Sequence, residues 1–326
     1  ALRGSGQAVV LFGSLAARHP QAATLRWLAG EIARAAGARF GYLPQTANSV
    51  GAALAGVLPH RGAGGAPLAK PGLDARRMLE QPRRAYVLLG VEPSLDCRDG
   101  AQARAALAAA EFVVAFTAFR SEDLDATANV LLPIAQHAEN PGTLVNAEGR
   151  WQFSDAAVTP PGEARPASRI MRVLGNRLEL PGFAYETLAD VGAEVGAAIA
   201  DRAPVLDGRW RTLTALPAPG PTGGVERIDT VSLYSGDALV RHAAALQASA
   251  DAPDRHARLA PALAARLGLS DGDPLVLSRD GADVTVEARL DVRVPDGAVW
   301  TWGAQPAFVP LGAADGGLAL RKGRTP

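Results

Sequence analysis

The chain has 326 residues, and its 33 basic and 33 acidic side chains give a formal net charge of zero. This balance argues against a general attraction to nucleic acid or to an anionic membrane surface. A hydrophobic fraction of 48% predicts a globular chain of about two domains. The single cysteine, Cys97, excludes an intrachain disulfide, a four-cysteine zinc site and a cysteine-ligated iron–sulfur cluster.

Strand and helix patterns alternate over the first two hundred residues. A continuous apolar run predicts a buried strand at 7–12, and a helix that ends at Gly37 follows it. This alternation predicts a parallel sheet that is covered on both faces and binds ligands at the carboxyl ends of its strands. The apolar face of the first helix comprises Leu25, Leu28, Ile32 and Ala35. Further strands are predicted at 39–43, 85–90, 112–116 and 129–133, and helices at 48–57 and 101–110.

The second part of the chain is richer in strand signals. Two amphipathic helices, at 170–178 and 188–199, precede a Pro/Gly-rich stretch. Asp-Gly turns then separate short β-rich runs, which predicts a small β-barrel with one or two helices. The predicted strands are 230–234, 274–278, 283–290 and 298–302, and the helices are 237–248 and 258–267. The predicted domains are an α/β domain at 1–202, a linker at 203–226 and a barrel-like domain at 227–326.

Four short motifs do not carry a function on inspection. Gly268–Gly272 matches a nucleophile elbow, but a helix precedes it and a strand follows, which is the reverse of what the elbow needs. The glycines of 4–6 precede their strand instead of following it. His137–Glu139 lacks the further cysteines of a zinc deaminase, and Gly192 and Gly196 lie in a charged helix.

Cys97 follows a predicted strand and has both Arg98 and two aspartates beside it. A reactive thiol needs a base or a positive environment, and Asp96 and Asp99 oppose the effect of Arg98. The sequence therefore predicts a passive cysteine.

The segment 131–152 carries the strongest signal, because polar, Gly and Pro residues crowd the loop after a strand. Two interpretations stay open. These side chains bind a large polar ligand at the edge of the sheet, or they tie down a long loop through hydrogen bonds to the backbone and a Glu148–Arg150 pair. The residues concerned are Glu139, Thr143, Asn146, Glu148 and Arg150.

This segment, with the pattern LLP…E…GT…N.EGR.Q, resembles the molybdopterin oxidoreductase superfamily. Two stretches, LPQTANSVGAALAGVLPH at 43–60 and LYSGDALVRHAAALQ at 233–247, are similar to the G subunits, the large iron–sulfur subunits, of bacterial NADH-quinone oxidoreductase (complex I). The stretch 259–300 resembles the superfamily's terminal domain. The resemblance implies Rossmann-like parallel sheet layers of the molybdopterin oxidoreductase type, followed by a small double-psi β-barrel-like domain.

The same resemblance implies a C-terminal fragment without catalytic residues, metal or bound cofactor, since the full subunit carries its iron–sulfur clusters on cysteines upstream. The long loop is then a vestige of a molybdopterin site. The vestigial residues are Glu139, Gly142, Thr143, Asn146, Glu148, Gly149 and Arg150.

We expect a non-catalytic scaffold in the hydrophilic arm of complex I, next to the path of electrons from NADH to quinone, on the cytoplasmic face of the bacterial inner membrane. Its expected partners are other subunits of that arm, without nucleic acid and without direct membrane insertion. Trp151 is a candidate interface anchor, whereas Trp300 and Trp302 are expected in the core. The alternative function is the cofactor-binding portion of a true molybdopterin oxidoreductase, similar to formate dehydrogenase, and a free-standing nucleotide-binding protein is a third possibility.

Overall fold

A computed structural model describes residues 7–19, 21–200, 223–314 and 316–324. Contacts group these residues into two units, which are described separately. The first unit holds 7–78 and 133–200, and the second holds 79–132 and 223–324. The Gly4–Gly6 motif and most of the predicted linker, 203–222, lie outside the described residues. The predicted domain boundaries stay a prediction, although a strand already begins at Val225.

The strands and helices follow one another as a mixed α/β chain. None of the helices in the described ranges is both long enough and apolar enough to cross a bilayer. The strands are β1 Val9–Phe12, β2 Arg39–Tyr42, β3 Ala85–Leu89, β4 Phe112–Thr117, β5 Val130–Pro133, β6 Gly142–Val145, β7 Trp151–Ser154, β8 Val225–Val231, β9 Ala257–Leu259, β10 Pro274–Arg279, β11 Ala282–Leu290, β12 Ala298–Gly303 and β13 Gly317–Lys322. The α-helices are α1 Ser14–Arg18, α2 Ala22–Ala36, α3 Ser49–Leu54, α4 Ala75–Glu80, α5 Pro93–Asp96, α6 Gly100–Ala108, α7 Glu122–Thr127, α8 Ala167–Arg177, α9 Leu188–Ala200, α10 Ala238–Arg241, α11 Ala244–Gln247 and α12 Pro261–Arg266.

In the first unit β1 and β2 form a two-stranded parallel sheet, and α2 packs against it. Gly37 ends α2 in the left-handed conformation with φ 68°, as predicted. The predicted apolar face is wrong, because Ile32 is 52% exposed and the buried positions of the helix are Gly30 and Ala33. Small residues allow a close approach of the helix, which leaves the larger side chains at the rim.

In the second unit β3, β4 and β5 form a three-stranded sheet, and the β3–β4 pair is parallel. Tyr86 and Val113 are buried with residues of α6 on one face. On the other face Val87 and Leu89 are exposed. The predicted parallel pairing is therefore confirmed for β1–β2 and β3–β4. The expected cover on both faces is wrong at Val87 and Leu89 among the described residues, and the strands form separate small sheets.

The remainder of the second unit is a closed barrel of six strands in the order β10, β11, β9, β12, β8, β13. Its interior is an apolar cluster that includes Leu259, Leu275, Leu277 and Val299, all with no exposed surface. The predicted Asp-Gly turns are confirmed. Their glycines, Gly272, Gly281 and Gly297, all have positive φ.

The barrel also buries one cation. Arg227 on β8 donates from Nε to Oγ1 of Thr301 (3.2 Å) and from Nη1 to the Gly312 carbonyl (3.2 Å). Burial lowers the pKa of this guanidinium, nearby Asp229 raises it, and Arg279 lowers it. Val299 and Thr301 take the inward positions of β12, so the expected core burial of Trp300 and Trp302 is wrong. The two tryptophans are half-buried on the outer face. Their rings pack edge to face, with centroids 4.6 Å apart.

Three predicted elements of the second unit are shifted or divided. The strand predicted at 230–234 is β8, which ends at Val231. The helix predicted at 237–248 is two helices, α10 and α11, with a break at 242–243, and Asp237 caps the first. The helix predicted at 258–267 begins only at Pro261, because β9 occupies 257–259. No element was predicted at β13.

Candidate functional site

Glu139 lies at the end of the 3-10 helix His137–Glu139 in the first unit. Its Oε2 accepts a hydrogen bond from the backbone N–H of Gln136 at 2.8 Å. The Gln136 side chain accepts in return from the backbone of Glu139, which completes a capping box. The carboxylate of Glu139 is therefore engaged in capping the start of its own turn.

The other six residues of the predicted loop lie on the hairpin formed by β6 and β7, with Gly142 paired to Ser154 and Thr143 to Phe153. The turn of the hairpin is organised by one side chain. Oδ1 of Asn146 accepts from the backbone N–H groups of Glu148 (3.0 Å) and Arg150 (2.9 Å). Gly149 has φ 78°, a left-handed conformation that suits glycine. The amide of Asn146 thus shapes the turn.

The two charged residues of the turn are exposed. Nη2 of Arg150 lies 3.8 Å from Oε2 of Glu148, and such exposed pairs contribute little to stability. The side chains of Glu139 and Asn146 thus bond to the backbone of their own turns, and Glu148 pairs with Arg150. These contacts support the interpretation that the residues tie down the loop, and a role as cofactor ligands stays a prediction.

Among the described residues, the hairpin is anchored through β6. Val145 is buried with Leu54 and Ile199, and its N–H donates to Oδ1 of Asn48 at 2.9 Å. Asn48 does stand at the start of α3, as predicted, but this side chain makes no cap bond there because it serves β6 instead. On β7 every residue is exposed, including Trp151. Trp151 stays a candidate interface anchor.

A second group of polar residues converges in the second unit, at the carboxyl ends of β3 and β4. Glu92 follows β3 and is almost fully buried, with 4% of its side chain exposed. Its Oε2 accepts from Nε of Arg241 at 2.7 Å, and its Oε1 lies 2.8 Å from Nε2 of His242. The ring of His242 stacks on Phe119, which follows β4, with ring centroids 4.8 Å apart.

Arg241 is the hub of this group, and only 9% of its side chain is exposed. Besides Glu92 it contacts Oδ1 of Asp96 through Nη2 (2.8 Å) and the carbonyl of Ser235 through Nη1 (2.9 Å). Ser235 is fully buried, and its Oγ accepts from Nε2 of Gln305, which follows β12, at 2.9 Å. The group therefore links the loop after β3 to the barrel strands. We call Glu92, Asp96, Phe119, Arg241 and His242 the sheet-edge network.

No role was predicted for this network from the sequence. Two signals were present: an acidic residue directly after a buried strand, and the 233–247 stretch, which carries the family resemblance. Their partnership could not be inferred, because Glu92 and Arg241 are 149 positions apart.

Cys97 lies beside the network and is half-buried. Burial raises the pKa of its thiol, and the carboxylates of Asp96 and Asp99 raise it further. These effects favour the neutral thiol and support the interpretation of a passive cysteine. Among the described residues, no group of three or more His, Cys, Asp or Glu side chains is arranged to hold a metal ion.

Comparison with known protein families gives a match to the family described as Molybdopterin oxidoreductase over residues 2–177, more than half of the chain. The chain belongs to this family. A similarity to acetylene hydratase from Pelobacter acetylenicus agrees with the fold. The TM-score is 0.51 at 16% identity, covering 79% of this chain and 44% of that chain.

Within the family, the similar relatives include several G subunits of NADH-quinone oxidoreductases. The NADH-quinone oxidoreductase G subunit of Streptomyces coelicolor is 32% identical over 90% of this chain and 36% of its own length. The G 2 subunit of Rhizobium meliloti is 27% identical over 79% of this chain and 34% of its own length. A nitrate reductase of Synechocystis is 34% identical over 33% of this chain and 16% of its own length. The chain thus spans about a third of the length of the G-subunit relatives.

The family name implies a molybdopterin, whose phosphate groups require cations or free amide donors. The loop after β3 carries three carboxylates, Glu92, Asp96 and Asp99, against one cation, Arg98. The buried cation that reaches this edge from α10, Arg241, is already paired with two of these carboxylates. The described residues at this sheet edge therefore do not fit a phosphate-bearing group.

Proposed function

We propose that the chain is part of a G-type subunit of an NADH-quinone oxidoreductase. It serves there as a non-catalytic scaffold of the hydrophilic arm, beside the path of electrons from NADH to quinone. The observation that carries the proposal is the similarity to the G subunit of Streptomyces coelicolor, which extends over 90% of this chain. In this proposal the clusters lie in other parts of the subunit, and the arm lies on the cytoplasmic face of the bacterial inner membrane.

The geometry of the polar residues supports a scaffold. Asn146 is engaged in its own turn, the sheet-edge network is internally paired, and burial and two carboxylates raise the pKa of the Cys97 thiol. We further assign the closed barrel to the double-psi type. Two parallel pairings, β11 with β9 and β12 with β8, support this assignment, since simple up-and-down barrels pair antiparallel throughout.

One observation favours the alternative function, a true molybdopterin oxidoreductase. The nitrate reductase of Synechocystis is 34% identical over 113 residues. A metal and pterin analysis distinguishes the two functions, because an enzyme of this class needs its cofactor whereas a scaffold does not.

The test is an affinity purification of the natural gene product from its own cells in mild detergent. We expect it to co-purify with an NADH-oxidising complex that contains iron–sulfur clusters, without stoichiometric molybdenum or pterin fluorescence. The purified 326-residue chain should show no NADH oxidation. An untagged strain is the control for non-specific capture. Stoichiometric molybdenum or pterin in the purified protein would establish the alternative and disprove the scaffold.

A further inference from the structure

Parallel sheets bind ligands at the carboxyl ends of their strands, where the loops diverge and backbone N–H groups are free. In the second unit this edge is formed by the loops after β3 and β4. Glu92 comes from the first loop and Phe119 from the second. A charged group and an aromatic face from two neighbouring loops are the kind of arrangement that receives a ligand.

Two side chains of the chain itself, Arg241 and His242, lie between these loops. The imidazole of His242 meets the carboxylate of Glu92 at 2.8 Å and lies nearly parallel to the Phe119 ring, at an interplanar angle of 6°. The guanidinium of Arg241 spans Glu92 and Asp96. Both residues come from the 233–247 segment, which Gln305 and Ser235 connect to the barrel.

The donors and acceptors of the network are well matched. Arg241 places Nε and both Nη atoms on three acceptors, and Glu92 uses both carboxylate oxygens. The backbone N–H of Glu92 donates to Oδ2 of Asp96 at 2.7 Å. A buried ion pair is tolerated when its hydrogen bonds are satisfied in this way, and removal of one partner is then strongly destabilising.

We propose that Arg241 and His242 act as an internal occupant of this sheet edge, filling the position of a ligand and fastening the 233–247 segment to the loops after β3 and β4. The inference deepens the proposed scaffold function and rests on it. Side chains of the unit itself fill the position in which a ligand would bind, and they connect two of its segments. Anionic ligands are excluded from the edge by the two carboxylates and by the prior pairing of Arg241.

Hydrogen–deuterium exchange on the full 326-residue chain tests the fastening. Arg241→Met should accelerate exchange in 90–97 and 233–247 by more than about tenfold, because a buried carboxylate loses its cation. Exchange in β10 and β11 should stay unchanged. The matched control is Arg266→Met, which removes a bidentate but exposed pair with Asp296 and should leave both regions as they were.

A double-variant comparison separates pairing from general loosening. Glu92→Gln and Arg241→Met each accelerate exchange in 233–247, and the double variant should be no faster than Arg241→Met alone. Fully additive effects, or no acceleration in either single variant, would overturn the proposal. If Arg241→Met does not fold, His242→Ala serves instead, with the faster exchange then expected mainly in 117–121 and 238–247.

A titration of the unaltered chain with inorganic pyrophosphate tests occupancy. We expect no added protection in 90–97, and protection there would show that the edge is open to anions. This result is independent of the proposed function. If the protein does not co-purify with an NADH-oxidising complex, the expected exchange pattern still holds. If Arg241→Met does not accelerate exchange in 233–247, the proposed membership of the complex still holds.

Discussion

The barrel and the β3–β4–β5 sheet belong to one unit but use their apolar residues in opposite ways. The barrel closes on itself, and leucines such as Leu259 and Leu277 have no exposed surface. The sheet covers one face with α6 and leaves part of the other face exposed, where Val87 is 63% exposed although Phe116 is buried. The barrel therefore completes its core with its own strands, whereas the sheet presents an apolar surface that isolated parallel sheets rarely show.

The largest expected effect concerns the barrel core. Leu277→Ala should reduce the free energy of unfolding by about 2–5 kcal/mol, because it leaves a cavity among fully buried neighbours. Urea denaturation followed by circular dichroism measures this loss. The matched control, Val87→Ala on the open sheet face, should change stability by less than about 0.5 kcal/mol. Equal losses in both variants would contradict the contrast between the two regions.

A smaller effect is expected at the start of α6, the helix that covers the sheet. Asp99 caps this helix, and its Oδ1 accepts from the N–H of Gln102 at 2.8 Å. Asp99→Ala should therefore cost about 1 kcal/mol in urea denaturation. Asp99→Asn retains an acceptor and should cost clearly less. A loss in the asparagine variant as large as in the alanine variant would show that capping is not the cause.

The open face of the sheet should affect solubility more than stability. Val87→Thr should leave the unfolding free energy within about 0.5 kcal/mol and slow aggregation measured by light scattering, since it interrupts a contiguous apolar surface. Val292→Thr is the control, because Val292 is also highly exposed but lies outside the sheet. Identical aggregation rates for the two variants would show that the exposed sheet face does not promote aggregation.

The last prediction concerns the reactivity of the Cys97 thiol and its dependence on pH, and it involves no change in stability. Burial and two aspartates raise the pKa of this thiol, so the reactive thiolate forms only at higher pH than in a free cysteine. Alkylation by iodoacetamide should accordingly be slow at neutral pH and accelerate above the ordinary thiol range. A short unstructured cysteine peptide provides the reference, and a pH profile that coincides with it would refute the expected shift.

Local patterns predicted the strands well where apolar residues form a short continuous run, as in β3 and β4. They failed where neighbours distant in sequence decide burial. The large side chains of α2 follow a helical period, yet Gly30 and Ala33 are the buried residues, because the helix approaches its sheet through its small side chains. Trp300 and Trp302 alternate like core residues, but the interior of the barrel is filled by Val299 and Thr301.

The candidate site divides in the same manner. The loop of 137–150 was recognisable from its composition and from the family resemblance, and its internal contacts follow from short-range turn chemistry. The sheet-edge network could not be recognised from the sequence, because its charged partners come from separate parts of the chain and no local spacing relates them. Only the fold brings the loop after β3 to α10.

The order of strands in the barrel has a consequence for how the chain folds during synthesis. β8 is the first barrel strand along the chain, yet it pairs with β12 and β13, which are the last two. Such distant pairing is slow, because the cost in chain entropy of closing a long loop precedes any gain from contacts. The β3–α6–β4 region can form as soon as it leaves the ribosome, whereas the barrel must wait for its final strand at Gly317–Lys322.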